Sequence, residues 1–397
     1  MKKSNNGATQ GALSGIKVVD FSRMLPGPWC TQMLGDLGAD VIKVEQPEVG
    51  DLGRHNPPNF KQSSVYFNTV NGQKRGVTLD LAKAADRQKA HELIAEADII
   101  VESYRRDVTK RLEIDYETAR EINPRIIYCS ITGFGQTGPW AGIPGHDLVV
   151  QSVTGVMGTG PEGELPPVPG FQAGDYAGSA YAVMAILAAL YQRRDTGEGR
   201  YLDISMFDCL FSMTNVIAGP ALARFGGFPV TTVMELYGGN PRYATYPTRD
   251  GKAVAVSLLE ARIWSSFCKV IERPDLIHAD EGPEHRHTAH GTRAALYREA
   301  IGQFCLSRDR DELVRWMAER NVPILPVYTS DEAVNSEHVA ARGMIEWVSH
   351  PTEGRIPVIA NPLHASGLTR VRTPAPTLGQ HQEIVERMAT AFASESV

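Results

Sequence analysis

The stretch Ile16–Glu45, IKVVDFSRMLPGPWCTQMLGDLGADVIKVE, decides the fold. Ile16 to Phe21 reads as a buried strand, and the loop containing Pro26, Gly27 and Pro28 follows it. Trp29 to Leu37 has the apolar spacing of a helix, Gly38 closes it, and Val41 to Val44 resumes as a strand. A strand, a helix and a second strand within about 30 residues form a parallel βαβ unit. Outward from this unit the pattern repeats. Gly76 to Leu79 reads as strand, Lys83 to Ala95 as helix, Ile99 to Val101 as strand, Tyr116 to Ile122 as helix and Ile126 to Ile131 as strand. This alternation predicts the α/β class with a doubly wound, Rossmann-like sheet.

The middle of the chain differs. Gly133 to Gly170 is rich in Gly and Pro and contains long loops, which tend to carry function. Ala177 to Tyr191 is an apolar, Ala-rich helix suited to a core or a subunit interface, and Tyr201 to Ser205 returns to strand. From Gly226 the composition shifts to short strands, such as Ala253 to Leu258, and charged amphipathic helices. The expected division is a large Rossmann-like domain over residues 1–225, a smaller α+β domain over 226–330, and a return to the large domain over 331–397. Ile356 to Ile359 is expected to be a strand of that return.

Composition narrows the function classes. With 40 Lys and Arg against 46 Asp and Glu, a net charge of −6 argues against a general nucleic-acid binder. It leaves room for a local basic pocket. The five cysteines are widely spaced without a CxxC pair, which fits neither a disulfide framework nor a zinc site and suits a cytoplasmic protein. Met1 to Ala12 is polar and lacks the apolar core of a signal peptide; Tyr181 to Tyr191 is too short to cross a bilayer. No membrane and no metal are expected, and His285 to His290 reads as a polar loop. Neither GxGxxG nor GxxxxGK[ST] appears where a dinucleotide would require it, which separates the Rossmann-like topology from NAD chemistry.

Several motifs then occur in order: Gly15 to Ser22, Pro26-Gly27-Pro28, Leu34 to Glu45, Asn71 to Leu81, Ile131 to Pro139, Gly145-His146-Asp147, Gly174-Asp175-Tyr176, Thr196 to Arg200 and Pro376 to His381. Together they resemble family III CoA transferases of the CaiB/BaiF type. That family includes formyl-CoA transferase-like enzymes and α-methylacyl-CoA racemases. The resemblance implies a CoA thioester as substrate with no permanently bound cofactor, and acyl-CoA and a carboxylic acid as partners. It also implies an interlocked homodimer with active sites between the large domain of one subunit and the small domain of the other.

By itself, an Asp near a helix N-terminus reads as a cap kept ionised by free N–H groups. The resemblance gives Asp175 a second reading, as the nucleophile that attacks an acyl-CoA thioester and carries a covalent aspartyl intermediate. His146 is either a polar loop residue or, as in the racemases, a base opposite Asp175 for α-proton exchange. Glu260 matches a residue that pairs with the racemase His, and on its own reads as an N-cap or first-turn carboxylate of the following helix. The function expected is CoA transfer between carboxylic acids; the alternative is an α-methylacyl-CoA racemase or epimerase.

CoA presents phosphates and adenine, which suit arginine. The resemblance places Lys74 and Arg75, in a loop before a strand, at the CoA site. It adds Arg54, Arg105, Arg111, and Ser22 and Met24 of the loop after the first strand. Arg106 and Lys110 read equally well as a solvated basic face. Tyr237-Gly238-Gly239-Asn240-Pro241 reads as an ordinary turn, while the resemblance offers Gly238 and Gly239 as a loop covering the intermediate.

Overall fold

The computed structural model describes residues 11–159, 165–235 and 238–387. Met1–Gln10, most of the polar stretch read against a signal peptide, lie outside the described residues, as does Tyr237. Two compact units emerge. One holds residues 11–157, 167–214 and 337–387; the other holds 215–336 with 158, 159, 165 and 166.

The first unit is built on six strands: β1 Lys17–Asp20, β2 Asp40–Glu45, β3 Lys74–Thr78, β4 Ile99–Glu102, β5 Ile127–Thr132 and β6 Arg200–Ser205. They form one sheet in the order β3-β2-β1-β4-β5-β6, every adjacent pair parallel. This is the doubly wound order, in which the chain starts centrally, winds outward to β3, and crosses back to β4. The helices are α1 Pro26–Asp36, α2 Val65–Val70, α3 Ala84–Glu96, α4 Val108–Arg111, α5 Tyr116–Ile122, α6 Asp147–Val153, α7 Ala173–Thr196 and α8 Met206–Ser212.

Strand alternation explains the layers. Val18, Val41, Ile99 and Val101 point into a core shared with α1 and α7, while Val19, Val44, Val77 and Ile100 point into a core shared with α3 and α5. Helix α7 spans 24 residues, longer than the expected apolar run. It is long and apolar enough to cross a bilayer. Its Ala177, Ala182, Ile186 and Ala189 are instead buried in the first of these cores.

Ile356 to Ile359 falls within a strand of the first unit. Gly354–Ile359 (β11) does not join the parallel sheet; it pairs antiparallel with Ile345–His350 (β10). Closure onto the sheet comes later, where His381 N–H donates to Gly76 O (2.9 Å) and the Gln382 side chain accepts from Thr78 N–H (2.9 Å).

The second unit carries a three-stranded antiparallel sheet, β7 Tyr243–Pro247, β8 Ala253–Ser257 and β9 Ile324–Pro326, and a core around Trp264, Phe267, Tyr297, Ile301 and Leu313. It runs from Asn215 rather than 226, and to Ser336 rather than 330. The composition change at Gly226 marks the end of the apolar helix Asn215–Phe225, which already belongs to this unit.

Candidate active site

The chain diverges after β1 and β4, the neighbours where winding reverses, and a crevice opens beyond their carboxyl ends. A cavity of about 340 Å³ lies there. Its walls are Arg23 to Pro26 after β1, Tyr66 of α2, Ser103 to Arg106 after β4, His146, Asp175 and Met206. A second cavity of about 230 Å³, reaching Glu45, Asp51 and Leu79 to Ala82, shares Arg23 and Tyr104 with it. The two loops are tied together, since Arg23 N–H donates to Ser103 Oγ (3.0 Å). Tyr104 N–H donates to the buried Glu102 carboxyl (2.7 Å).

Asp175 is the third residue of α7, which begins four residues, about one turn, earlier than Ala177 would place it. The capping role falls elsewhere. Asp147 Oδ1 accepts from Gly174 N–H (2.8 Å) and Asp175 N–H (3.2 Å), and its Oδ2 accepts from Gln151 (2.6 Å). The Asp175 carboxyl is therefore released from capping. Close approach of α6 needs Gly174, because a Cβ there would lie 3.0 Å from Val150 Cγ1 and 3.1 Å from Asp147 Oδ1. Burial, then the Asp147 carboxylate, pushes Asp175 up to about 7, above the range the helix terminus alone would give. The Tyr66 phenol is likewise raised, first by burial and then by the charge of Asp175.

His146 is exposed at the N-cap of α6, makes no side-chain capping bond, and lines the cavity with Asp175. Met24 and Arg105 join them, as does Arg106, for which a solvated face had read equally well. The other residues take different places. Lys74 is not in a loop: Lys74 and Arg75 open β3, opposite Val41 and Ile42. Lys74 is buried, with Nζ donating to Asp20 (3.0 Å), Asn71 (2.8 Å) and Pro28 O (2.9 Å), so its donors are spent within the core. Arg75 pairs with Asp40 at the surface. Arg54 makes a forked pair with Glu45, both bonds 2.7 Å, and lies over Phe67. Ser22 is fully buried with its hydroxyl on Asp20. Arg111 is exposed on α4 and lines neither cavity.

Glu260, Gly238 and Gly239 belong to the second unit. Glu260 is exposed at the N-cap of the helix Ala261–Val270 without a side-chain capping bond. Gly238 has φ +88°, and Arg298 donates to its carbonyl (2.7 Å) and to that of Gly239 (3.2 Å). Both glycines are thus turn residues held by Arg298. Among the described residues, no group of three His, Cys, Asp or Glu is placed to hold a metal ion.

Sequence reasoning missed Tyr66, Arg23 and the capping role of Asp147. The spacing Asp147-x-x-x-Gln151 on a helix, which lets the amide orient the carboxylate, was the available signal.

The family model for CoA-transferase family III matches residues 13–382. A succinate–glutarate CoA-transferase from Agrobacterium fabrum is 32% identical over 395 residues, covering 95% of this chain and 97% of that one. A formyl-CoA:oxalate CoA-transferase from Rhodopseudomonas palustris is 30% identical, covering 97% and 95%. The solved structure of a CaiB/BaiF family protein from Brucella suis superposes with a TM-score of 0.79 at 31% identity, covering 96% and 99%. The fold, the crevice and these matches agree: the chain belongs to CoA-transferase family III.

Proposed function

We propose that Asp175 carries CoA between two carboxylic acids. The observation behind this is a cavity-lining carboxyl freed from capping by Asp147 and made more basic than an ordinary aspartate. An oxygen of Asp175 attacks the thioester carbonyl carbon, the C–S bond breaks, and CoA thiolate leaves a mixed anhydride. The thiolate then attacks the aspartyl carbonyl, freeing the donor as its carboxylate and leaving an aspartyl-CoA thioester. The acceptor carboxylate repeats the two steps in reverse, restoring Asp175. No proton is consumed overall, and covalent catalysis splits one difficult exchange into easier ones.

CoA spans the two joined cavities in this reading, its thioester beside Met24 and Asp175. Arg23, Arg105 and Arg106 favour acids with a second carboxylate. The succinate–glutarate and formyl-CoA:oxalate relatives support the same class. We place the enzyme in the cytoplasm, where its five free, buried cysteines are at home, as a homodimer of the interlocked type. The exposed Met184, Tyr191 and Phe211 supply apolar surface for subunit contact. No resident cofactor enters the scheme.

His146 beside Asp175 supports a second reading, epimerisation by α-proton exchange. Incubation with a branched acyl-CoA in D₂O separates the two. Thioester exchange that requires an acceptor dicarboxylate is the expected result, with Asp175→Asn inactive and His146→Ala mildly affected. Deuterium incorporation at the α-carbon without acceptor, abolished by His146→Ala, would replace this reading with the second.

A further inference from the structure

The loop from Phe21 to Leu25, with Pro26 at the start of α1, forms one wall of the Asp175 cavity and is anchored by buried Phe21 and Leu25 on either side of Arg23 and Met24. Met24, at its centre, adopts φ +66°, a left-handed conformation uncommon for a residue with a side chain. Something must hold it there. Lys43 on β2 is fully buried; its Nζ donates to Ser22 O (2.9 Å) and pairs with Asp51 at 2.9 Å. Asp51 Oδ1 in turn accepts from Met24 N–H (3.0 Å) and Gly53 N–H (2.8 Å). The pair therefore grips the backbone on both sides of Arg23. A second buried pair acts nearby: Asp20 accepts from Ser22 N–H (2.9 Å), and its partner Lys74 donates to Pro28 O. From α7, Ser179 Oγ bridges the carbonyls of Pro26 (2.7 Å) and Asp175 (2.8 Å). The loop and the Asp175 turn thus share a hydroxyl.

We propose that Lys43, Asp51 and Ser179 are positioning residues that fix the Arg23–Pro26 wall relative to Asp175, setting the approach of the thioester rather than the affinity for CoA. Buried ion pairs are poor investments for stability alone, because desolvation offsets much of their attraction. Here both pairs are joined to backbone atoms of one cavity wall. The inference rests on Asp175 being the reacting carboxylate. A displacement of about 1 Å in a reacting geometry can cost on the order of 10²-fold in rate.

The test uses the full chain and two variants. Lys43→Met/Asp51→Asn removes both charges together, so neither remains buried alone, and leaves an amide oxygen for Met24 N–H. Ser179→Ala removes only the shared hydroxyl. The readouts are thermal melting, the Kd of CoA, and the single-turnover rate of hydroxylamine-trappable acyl transfer to Asp175 at saturating succinyl-CoA. The expected result is folded protein with trapping slowed roughly 10- to 100-fold in the double variant, whose Asp51 also lines the second cavity, and in Ser179→Ala trapping slowed about tenfold with a Kd within about threefold of the parent. A parental trapping rate in folded variants would overturn the proposal, as would a loss confined to Kd. Should the double variant fail to fold, Ser179→Ala decides by the same criteria. Asp175→Asn is the control. If it still turns over, the nucleophile assignment fails, and the loop proposal is judged on kcat at saturating substrate in the same two variants.

Discussion

At the scale of the residue, the proposed chemistry turns on two aspartates 28 positions apart. Asp147 holds the first N–H groups of α7 and its charge opposes ionisation of Asp175, which burial has already made costly. In the proposed mechanism Asp175 must be ionised to attack, so kcat/KM is expected to rise with pH through an apparent pKa near 7 and then level off. Asp147→Asn keeps an oxygen for the cap and removes the charge, so the same profile is expected to shift to lower pH. An unmoved profile in this variant would mean that Asp147 does not set the Asp175 pKa. The stability linkage has the opposite sense to an ordinary ion-paired aspartate. The folded pKa of Asp175 lies above its usual value, so its proton stabilises the fold at low pH and that contribution is lost as pH rises through about 7. Asp175→Asn is therefore expected to melt above the parent at pH 8, by on the order of 1 kcal/mol. Melting below the parent would contradict a destabilised carboxylate. Asp175, which lines the cavity, was singled out because Gly174-Asp175 matched a motif. Lys74 was misread, because its real partner, Asp20, is 54 residues away, and local sequence carries no sign of that pairing.

At the scale of the element, the contact between α6 and α7 sets the site. Gly174→Ala would bring a methyl group against Val150 and Asp147, so α6 must yield by a few tenths of an ångström. The expected cost is about 1–3 kcal/mol, as for other overpacked cores. Activity should fall further than stability, because the Asp147 cap is displaced; melting and kcat measured together check this. The strands were the most legible elements, since their runs of Val and Ile are buried on both faces. Helix α6 was not recognised, because its seven residues lie in a Gly- and Pro-rich segment and its role depends on packing against α7. In the second unit, a buried group of Arg242, Glu281 and His290 holds the start of β7 near Trp264. Burial would raise the Glu281 pKa, but His290 and Arg242 bring it down to about 2. Its stabilising contribution is thus present above its ordinary value of 4.5 and lost as pH falls toward 2. Hydrogen exchange across β7–β9 is expected to accelerate between pH 4.5 and 3, with Glu281→Gln removing much of that dependence. Equal acid sensitivity in that variant would point to other carboxylates.

At the scale of the whole molecule, the chain builds a parallel sheet, supplies a second unit from its middle, and returns to seal β3 with Pro376 to Gln382. The doubly wound class could be read from alternating strand and helix patterns, and the composition change near residue 226 announced a second unit. The position of the cavity could not be read in the same way. It arises from the reversal between β1 and β4, which brings residues 23–26, 66, 103–106, 146 and 175 together across more than a third of the chain. Net charge was equally silent on the site. Three arginines gathered by these loops line a cavity in a chain whose overall charge is −6. The most direct measurement is peptide mass spectrometry after incubation with succinyl-CoA and quenching in hydroxylamine. The expected result is a hydroxamate on Asp175, present in the parent and absent from Asp175→Asn. Turnover with the adduct on another residue, or with none at all, would contradict the covalent role of Asp175.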